Sequence, residues 1–300
     1  MSSMSLALPS PLADLVDERL GGVSLALKRD DLIAPVISGN KFRKLRYLEA
    51  EVRRAGATTV LTFGGAYSNH LRAVAAWGRL AGVRTIGVVR GEERPYNSLL
   101  AACVDDGMTL EYLDRRTYRR KTDPSVIDEL RAVHGDFHLL PEGGTSASAL
   151  RGCAELVAEI ERPFDLLVTP VGTGGTLAGV AAGIGPGQRA LGISVLRGAE
   201  YLNGVVDALH VEVLGERLGN WSIDHRFHHG GYAKRSELLD EFLGDMTVRH
   251  GLSLDHVYVG KMLYALFDMA ASGEIASGTQ VVAVVTGSPA QVVPAPTRPT

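Results

Sequence analysis

From about residue 56 the chain alternates short apolar runs, almost free of polar interruption, with stretches whose apolar residues recur at helical spacing. TTVLTF (58–63) precedes a helix expected from Asn69, and VRTIGVV (83–89) precedes one near Asn97. FHLL (137–140) precedes a helix from Ser146, and FDLLVTP (164–170) one from Thr176. The runs are mostly Val, Ile and Leu, which suits strands covered on both faces of a parallel sheet. Upstream, VSLALKR (23–29) reads as a further strand. Lys41–Arg54 reads as one helix whose Leu45, Leu48 and Val52 form a stripe that should pack on a sheet. The pattern is that of an α/β protein.

Between these elements lie four glycine-rich turns that follow strands: Gly64-Gly65, Gly143-Gly144, Gly172-Thr173-Gly174-Gly175 and Thr286-Gly287-Ser288. In open parallel sheets ligands bind beyond the carboxyl ends of the strands, so the four turns are expected to converge on one crevice. No internal repeat appears, and the final PAPTRPT reads as a frayed tail.

The 300 residues, 45% of them apolar, are enough for one large or two modest cores. With 31 basic against 34 acidic residues the net charge is −3, and no segment is rich enough in Lys and Arg to follow a phosphate backbone. Nucleic acid is therefore not an expected partner. No apolar run reaches the ~18–20 residues of a membrane span, and MSSMSLALPSPLADL has no basic start followed by a solid apolar stretch. A soluble, cytoplasmic protein without a membrane partner is expected. Cys103 and Cys153, both in helical stretches, show no metal or redox spacing and read as buried thiols.

Chemistry concentrates in three segments. In TPVGTGGTLAG (169–179) a strand ends in small residues and a helix starts at once. Backbone N–H groups and the positive helix end can surround a phosphate there, helped by the hydroxyls of Thr173 and Thr176. The alternative is a glycine turn that serves only close strand–helix packing. A Walker lysine is absent, which argues against ATP. In SGNKFRKLRYL (38–48), Lys41 follows a Gly-Asn turn at a helix start, where the dipole opposes protonation and favours imine formation with an aldehyde. The alternative is a solvated surface lysine. In FGGAYSNHLRAVA (63–75), Ser68 and Asn69 are either ligand-facing or simply helix caps.

Taken together, GNKFRK, the Ser68-Asn69 pair, PEGGTSASALRG, VGTGGT, LDHVYVGK and TGSPA follow the order found in one family. The chain resembles the fold type II pyridoxal-phosphate (PLP) enzymes of the 1-aminocyclopropane-1-carboxylate (ACC) deaminase and D-cysteine desulfhydrase group, over residues 25–290. The resemblance implies a two-domain fold like that of the tryptophan synthase β-subunit, each domain a mostly parallel sheet flanked by helices. Residues 1–44 and 145–300 would form the larger, PLP-binding domain and 45–144 the smaller inserted one. It further implies a homodimer acting on a small amino acid, by elimination to a 2-oxo acid and ammonia.

Residue by residue, the resemblance makes Lys41 the lysine that carries PLP as a Schiff base and moves the α-proton, with Lys44 reaching the phosphate. Ser68 is expected at the substrate carboxylate or as a general base, and Asn69 at the cofactor's phenolic oxygen. Gly172, Thr173, Gly174, Gly175 and Thr176 match the phosphate cup, and Thr286 the residue at the pyridine nitrogen. Tyr232 and Tyr258 match two active-site tyrosines, whose hydroxyls can donate protons or contact the leaving group. Without the resemblance, either tyrosine reads equally as a half-buried aromatic.

Three positions depart from the family. Tyr67 stands where it has Gln, which leaves the mode of carboxylate binding open. Phe42 stands where it commonly has Thr. Val259 stands where ACC deaminases carry Glu and D-cysteine desulfhydrases Thr, which argues against cyclopropane opening. A metal ion is not expected, because His225, His228 and His229 lack evident carboxylate or cysteine partners, although an imidazole facing substrate stays open. Replacement, racemisation, a specialised biosynthetic step and a catalytically silent PLP-binding protein remain as alternatives. A nucleotide-binding protein using the 172–176 loop alone leaves Lys41 unexplained.

Overall fold

The computed structural model describes residues 6–287 apart from 38 and 94, so Ser288 and the PAPTRPT tail lie outside the described residues. The chain opens with β1 (Leu12–Leu15) and β2 (Ser24–Lys28), then two short helices, α1 (Gly39–Leu45) and α2 (Leu48–Arg54). An alternation follows: β3 (Thr59–Gly64), α3 (Asn69–Ala81), β4 (Arg84–Arg90), α4 (Ser98–Asp105), β5 (Thr109–Leu113), α5 (Arg115–Arg119), α6 (Pro124–His134) and β6 (His138–Leu140). The remainder comprises α7 (Ala147–Ala158), β7 (Leu166–Val171), α8 (Gly175–Gly183), β8 (Arg189–Ser194), α9 (Tyr201–Leu214) and β9 (Trp221–Asp224). It closes with α10 (Glu237–His250), α11 (Val259–Ala271) and β10 (Gln280–Val284).

The strands form two sheets. One has the order β5-β4-β3-β6 and is parallel throughout. The other has the order β1-β2-β10-β7-β8-β9 and is parallel except for the antiparallel edge pair of β1 with β2. Each is covered by helices, and the apolar runs VLTF and LLVTP are accordingly buried at nearly every position.

The expected helix over 41–54 is broken at Arg46-Tyr47, and α2 begins after it without a side-chain cap. The break lets both pieces turn their apolar residues inward. Phe42, Leu45, Leu48 and Val52 pack in one cluster with Val60, Leu71 and Trp77 of the four-stranded sheet's layers. Ile33, Ala34 and Ile37 join the same cluster, so the chain crosses to the smaller sheet before α1 begins. On its other side α1 is pressed against α7, where a Cβ on Gly152 would lie 2.1 Å from the Arg43 carbonyl oxygen.

A buried ionic cluster anchors α1 to the larger sheet. Arg43 gives two bonds to Asp30 (2.6 and 2.7 Å) and two to Glu159 (both 2.9 Å). Lys28 donates to Glu159 at 3.0 Å and to the Ser10 carbonyl at 2.6 Å, while the Ser10 hydroxyl donates to Asp30. The side chains of Arg43, Asp30 and Lys28 are fully buried. Two cations and two anions within mutual reach are what allow such charges to leave water.

Candidate active site

The carboxyl ends of β6, β7 and β10 and the start of α1 meet at one place. Gly39 opens α1 at φ +63, and a Cβ there would fall 1.8 Å from the Thr286 carbonyl oxygen, so only glycine permits this approach. The Asn40 N–H donates to that carbonyl, and its carboxamide donates to the Thr176 hydroxyl at 2.9 Å. α1 is thereby held against the β10 turn and the first turn of α8 at once.

From this platform Lys41 and Lys44 point at the same atom. Lys41 Nζ lies 3.4 Å and Lys44 Nζ 3.0 Å from the Gly143 carbonyl oxygen. Burial, and then the charge of Lys44, bring the Lys41 amine down to about 7, from the 10.5 of a free lysine. The sequence suggested the direction of this shift through the helix dipole. Burial dominates instead, and α1, with seven residues, is short. Lys44 is lowered too, by burial. It is 3% exposed, its amine also reaches Thr145 Oγ1 at 3.5 Å, and it has no carboxylate partner among the described residues.

That unpaired cation sits over the glycine loop. Gly174, at φ +81, turns the chain from β7 into α8, which starts with no side-chain cap, unlike α3, α4 and α7. A Cβ on Gly175 would stand 3.1 Å from Lys44 Nζ and 2.8 Å from Thr145 Oγ1. Thr145 and Thr173 bond through their hydroxyls at 2.8 Å, closing the loop's side. The first N–H groups of any α-helix lack intrahelical acceptors. Here they face a glycine hollow beside a buried ammonium, a combination that calls for an anion.

A model of the pyridoxal-phosphate-dependent enzymes matches residues 5–287. The chain belongs to that family. It is 31% identical over 277 residues to a Pyrococcus horikoshii protein provisionally named a 1-aminocyclopropane-1-carboxylate deaminase, covering 89% of this chain and 85% of that protein. It is 27% identical to a D-cysteine desulfhydrase of Salmonella paratyphi B, covering 87% and 85%. The crystal structure of an ACC deaminase homologue superposes with a TM-score of 0.81 at 29% identity, over 94% of this chain and 90% of that one.

The site fits the family's cofactor. PLP carries an aldehyde and a phosphate, and the chain offers an amine lowered to about 7, which titrates near neutral pH, beside a hollow suited to the phosphate. Tyr258 borders the loop, its ring 3.2 Å from where a Gly172 Cβ would lie. The Tyr258 hydroxyl donates to that of Tyr232 at 3.4 Å, and burial raises it well above the ordinary tyrosine range. Tyr232 is itself exposed.

Ser68 accepts the Leu71 N–H and so caps α3, while Asn69 is exposed on that helix's first turn. Tyr67 is 73% exposed. The Thr286 side chain is buried, and its carbonyl is engaged by α1. Phe42 and Val259 both turn into apolar cores. His225, His228 and His229 bond separately to Asn203, the Gly230 N–H and Ser236. Among the described residues no group of three His, Cys, Asp or Glu could hold a metal. Both cysteines are buried, and burial raises the Cys153 thiol to about 11 beside the two lysines.

Two residues escaped the reading of the sequence. Thr145, within PEGGTSASALRG, meets Lys44 and Thr173 but has no distinguishing signal in the sequence. His70, 3% exposed, follows the Ser-Asn pair directly; Nε2 meets Thr62 Oγ1 at 2.8 Å and Nδ1 has no partner among the described residues. Burial and the two lysine charges hold its imidazole neutral. Its place directly after the Ser68-Asn69 pair was the one available signal.

Proposed function

We propose that this chain is a PLP-dependent lyase of D-cysteine desulfhydrase type, removing the β-substituent of a small amino acid to leave a 2-oxo acid and ammonia. The observation that carries the reading is the meeting of Lys41, with its amine at about 7, and the unpaired Lys44 at the glycine-walled start of α8. When bound, PLP supplies an electron sink for negative charge at the substrate α-carbon.

Lys44 and the opening N–H groups of α8 bind the phosphate, and Thr173 and Thr176 bound the cup. The Thr286 hydroxyl serves the pyridine nitrogen, where a neutral partner limits the sink. Lys41 would hold the cofactor through its aldehyde, and its Nζ, at about 7, is an amine that can accept and return the substrate α-proton near neutral pH. Asn69 orients the ring, and Ser68 receives the substrate carboxylate or acts as a base. Tyr258 and Tyr232 protonate or orient the departing group.

Elimination is favoured over cyclopropane opening because residue 259 is a valine, 1% exposed, packed with Met262 and Leu263. No carboxylate stands at that position to assist ring cleavage. Residues 1–44 with 145–300, and residues 45–144, are proposed as two domains sharing α1, working as a cytoplasmic homodimer; their closure would exclude water from the site. Among the described residues no helix is long and apolar enough to cross a membrane.

The test is the visible spectrum of the purified protein, wild type and Lys41→Ala, before and after borohydride and with D-cysteine, L-cysteine or ACC. A borohydride-sensitive band absent from Lys41→Ala, with 2-oxo acid formed from D-cysteine and not from ACC, is the expected result. A wild type that PLP cannot colour refutes the reading.

A further inference from the structure

The loop between β9 and α10 carries Tyr232 on an unusual backbone. Of the five residues 229–233, four have positive φ: His229 (49), Gly230 (93), Gly231 (117) and Ala233 (54). Two of these bear a Cβ, and such conformations persist only where the surroundings enforce them. The enforcing group is Lys261, in the first turn of α11. Its side chain is fully buried, and Nζ donates to the carbonyls of His228 at 2.8 Å and Gly231 at 2.7 Å. Those carbonyls also receive the N–H groups of Gly231 and Lys234, so the ammonium closes two successive turns.

Among the described residues no other side chain donates to these two carbonyls. The acidic neighbour of Lys261, Asp255, accepts the N–H groups of Val257, Tyr258 and Val259, and the other titratable groups facing the lysine are His228, His229 and His256. Tyr258 lies three residues before Lys261 at the same helix start, so one end of α11 sets both tyrosines. The Tyr258 side chain is placed directly and Tyr232 through the clamped loop, with their rings edge to face at 6.0 Å.

We propose that Lys261 is a positioning residue: its ammonium holds the 228–233 loop in its strained form so that the Tyr232 hydroxyl meets that of Tyr258 beside the phosphate loop. This rests on the reading that the tyrosine pair faces the substrate. An aliphatic side chain of similar length could fill the space but could not bond two buried carbonyls.

A double-mutant cycle on the holoenzyme tests it, with Lys261→Met, Tyr232→Phe and the double variant. Lys261→Met is expected to keep the borohydride-sensitive band and to speed hydrogen exchange of the 228–234 amides at least tenfold. It should lower kcat/KM on the order of a hundredfold, the loss typical of a displaced reacting group. In the Tyr232→Phe background the same change should cost less than about threefold, because the hydroxyl it positions is gone. Multiplicative losses, or unchanged loop exchange, overturn the proposal. A Tyr232→Phe enzyme with wild-type turnover refutes the underlying reading instead. Should Lys261→Met not fold, Gly231→Ala, which disfavours the loop's φ of 117 while leaving the lysine side chain in place, must reproduce the loss with the band intact; full activity in that variant also overturns the proposal.

Discussion

Lys41 owes its proposed role to its surroundings more than to its place in a motif. A lysine following Gly-Asn at a helix start is commonly a solvated cation, and what changes its chemistry here is burial together with Lys44. The neutral amine is the nucleophile toward an aldehyde, so uptake of PLP by the apo-protein should rise about tenfold per pH unit up to about 7 and level off above it. Stopped-flow absorbance across pH checks this, and Lys41→Ala should show no uptake phase. Gly39 is the second residue on which the site turns. Gly39→Ala combines a positive φ with a Cβ driven into the Thr286 carbonyl, so α1 must move off the β10 turn. A loss of about 1–3 kcal/mol in stability is expected, with weakened PLP binding. Thermal denaturation and cofactor titration read the two effects. Residue identities of this kind were legible from order and spacing, whereas the roles of His70 and Thr145 were not. Both lie inside motifs, but a single His or Thr there has no chemical signature of its own, and only the fold brings β3, β6 and β7 together so that their loops share one space.

Elements were legible where their pattern was long and uniform. The strands over 59–64, 84–90 and 166–171 lie within a residue or two of the apolar runs that announced them, and Asn97 and Ser146 do cap their helices. The 41–54 helix was misread as continuous because its apolar spacing persists across the break at Arg46-Tyr47. Periodicity reports which face is buried, not whether the backbone ladder is unbroken. The start of α11 is the element on which both tyrosines depend. Asp255 accepts the N–H groups of Val257 and Tyr258, which lead into α11, and of Val259, its first residue, at 2.6 to 3.1 Å, despite burial that pushes its carboxyl up. Asp255→Ala should cost about 1–3 kcal/mol of stability, as loss of the acceptor for buried backbone N–H groups does. Tyr258 should loosen with it, so kcat/KM should fall in the same variant; urea unfolding and steady-state kinetics measure both.

At the scale of the whole molecule, the Arg43, Asp30, Glu159 and Lys28 cluster joins the larger sheet, α7 and the helix bearing both lysines. Burial alone would raise the Glu159 carboxyl, but the hydrogen bonds and charge of Arg43, with Lys28, hold it at about 2 against an ordinary 4.5. A carboxyl lowered in the folded state stabilises the fold fully above its unfolded value and loses that contribution as pH falls. The protein should therefore weaken between about pH 4.5 and 2. Glu159→Gln should flatten that acid limb and cost about 3–5 kcal/mol at neutral pH, as expected when one partner of a buried ionic cluster is removed. Acid unfolding followed by circular dichroism checks the slope. By itself the sequence determined the α/β class, the strand and helix order and the glycine turns, because apolar period and backbone freedom are local properties of the chain. The tertiary structure alone decided that the turns after β6, β7 and β10 meet at the start of α1, that Lys44 has no counter-charge among the described residues, that residue 259 faces a core and that Lys261 holds a strained loop. Burial, charge pairing and contact between distant segments depend on packing, and no local window of sequence contains them.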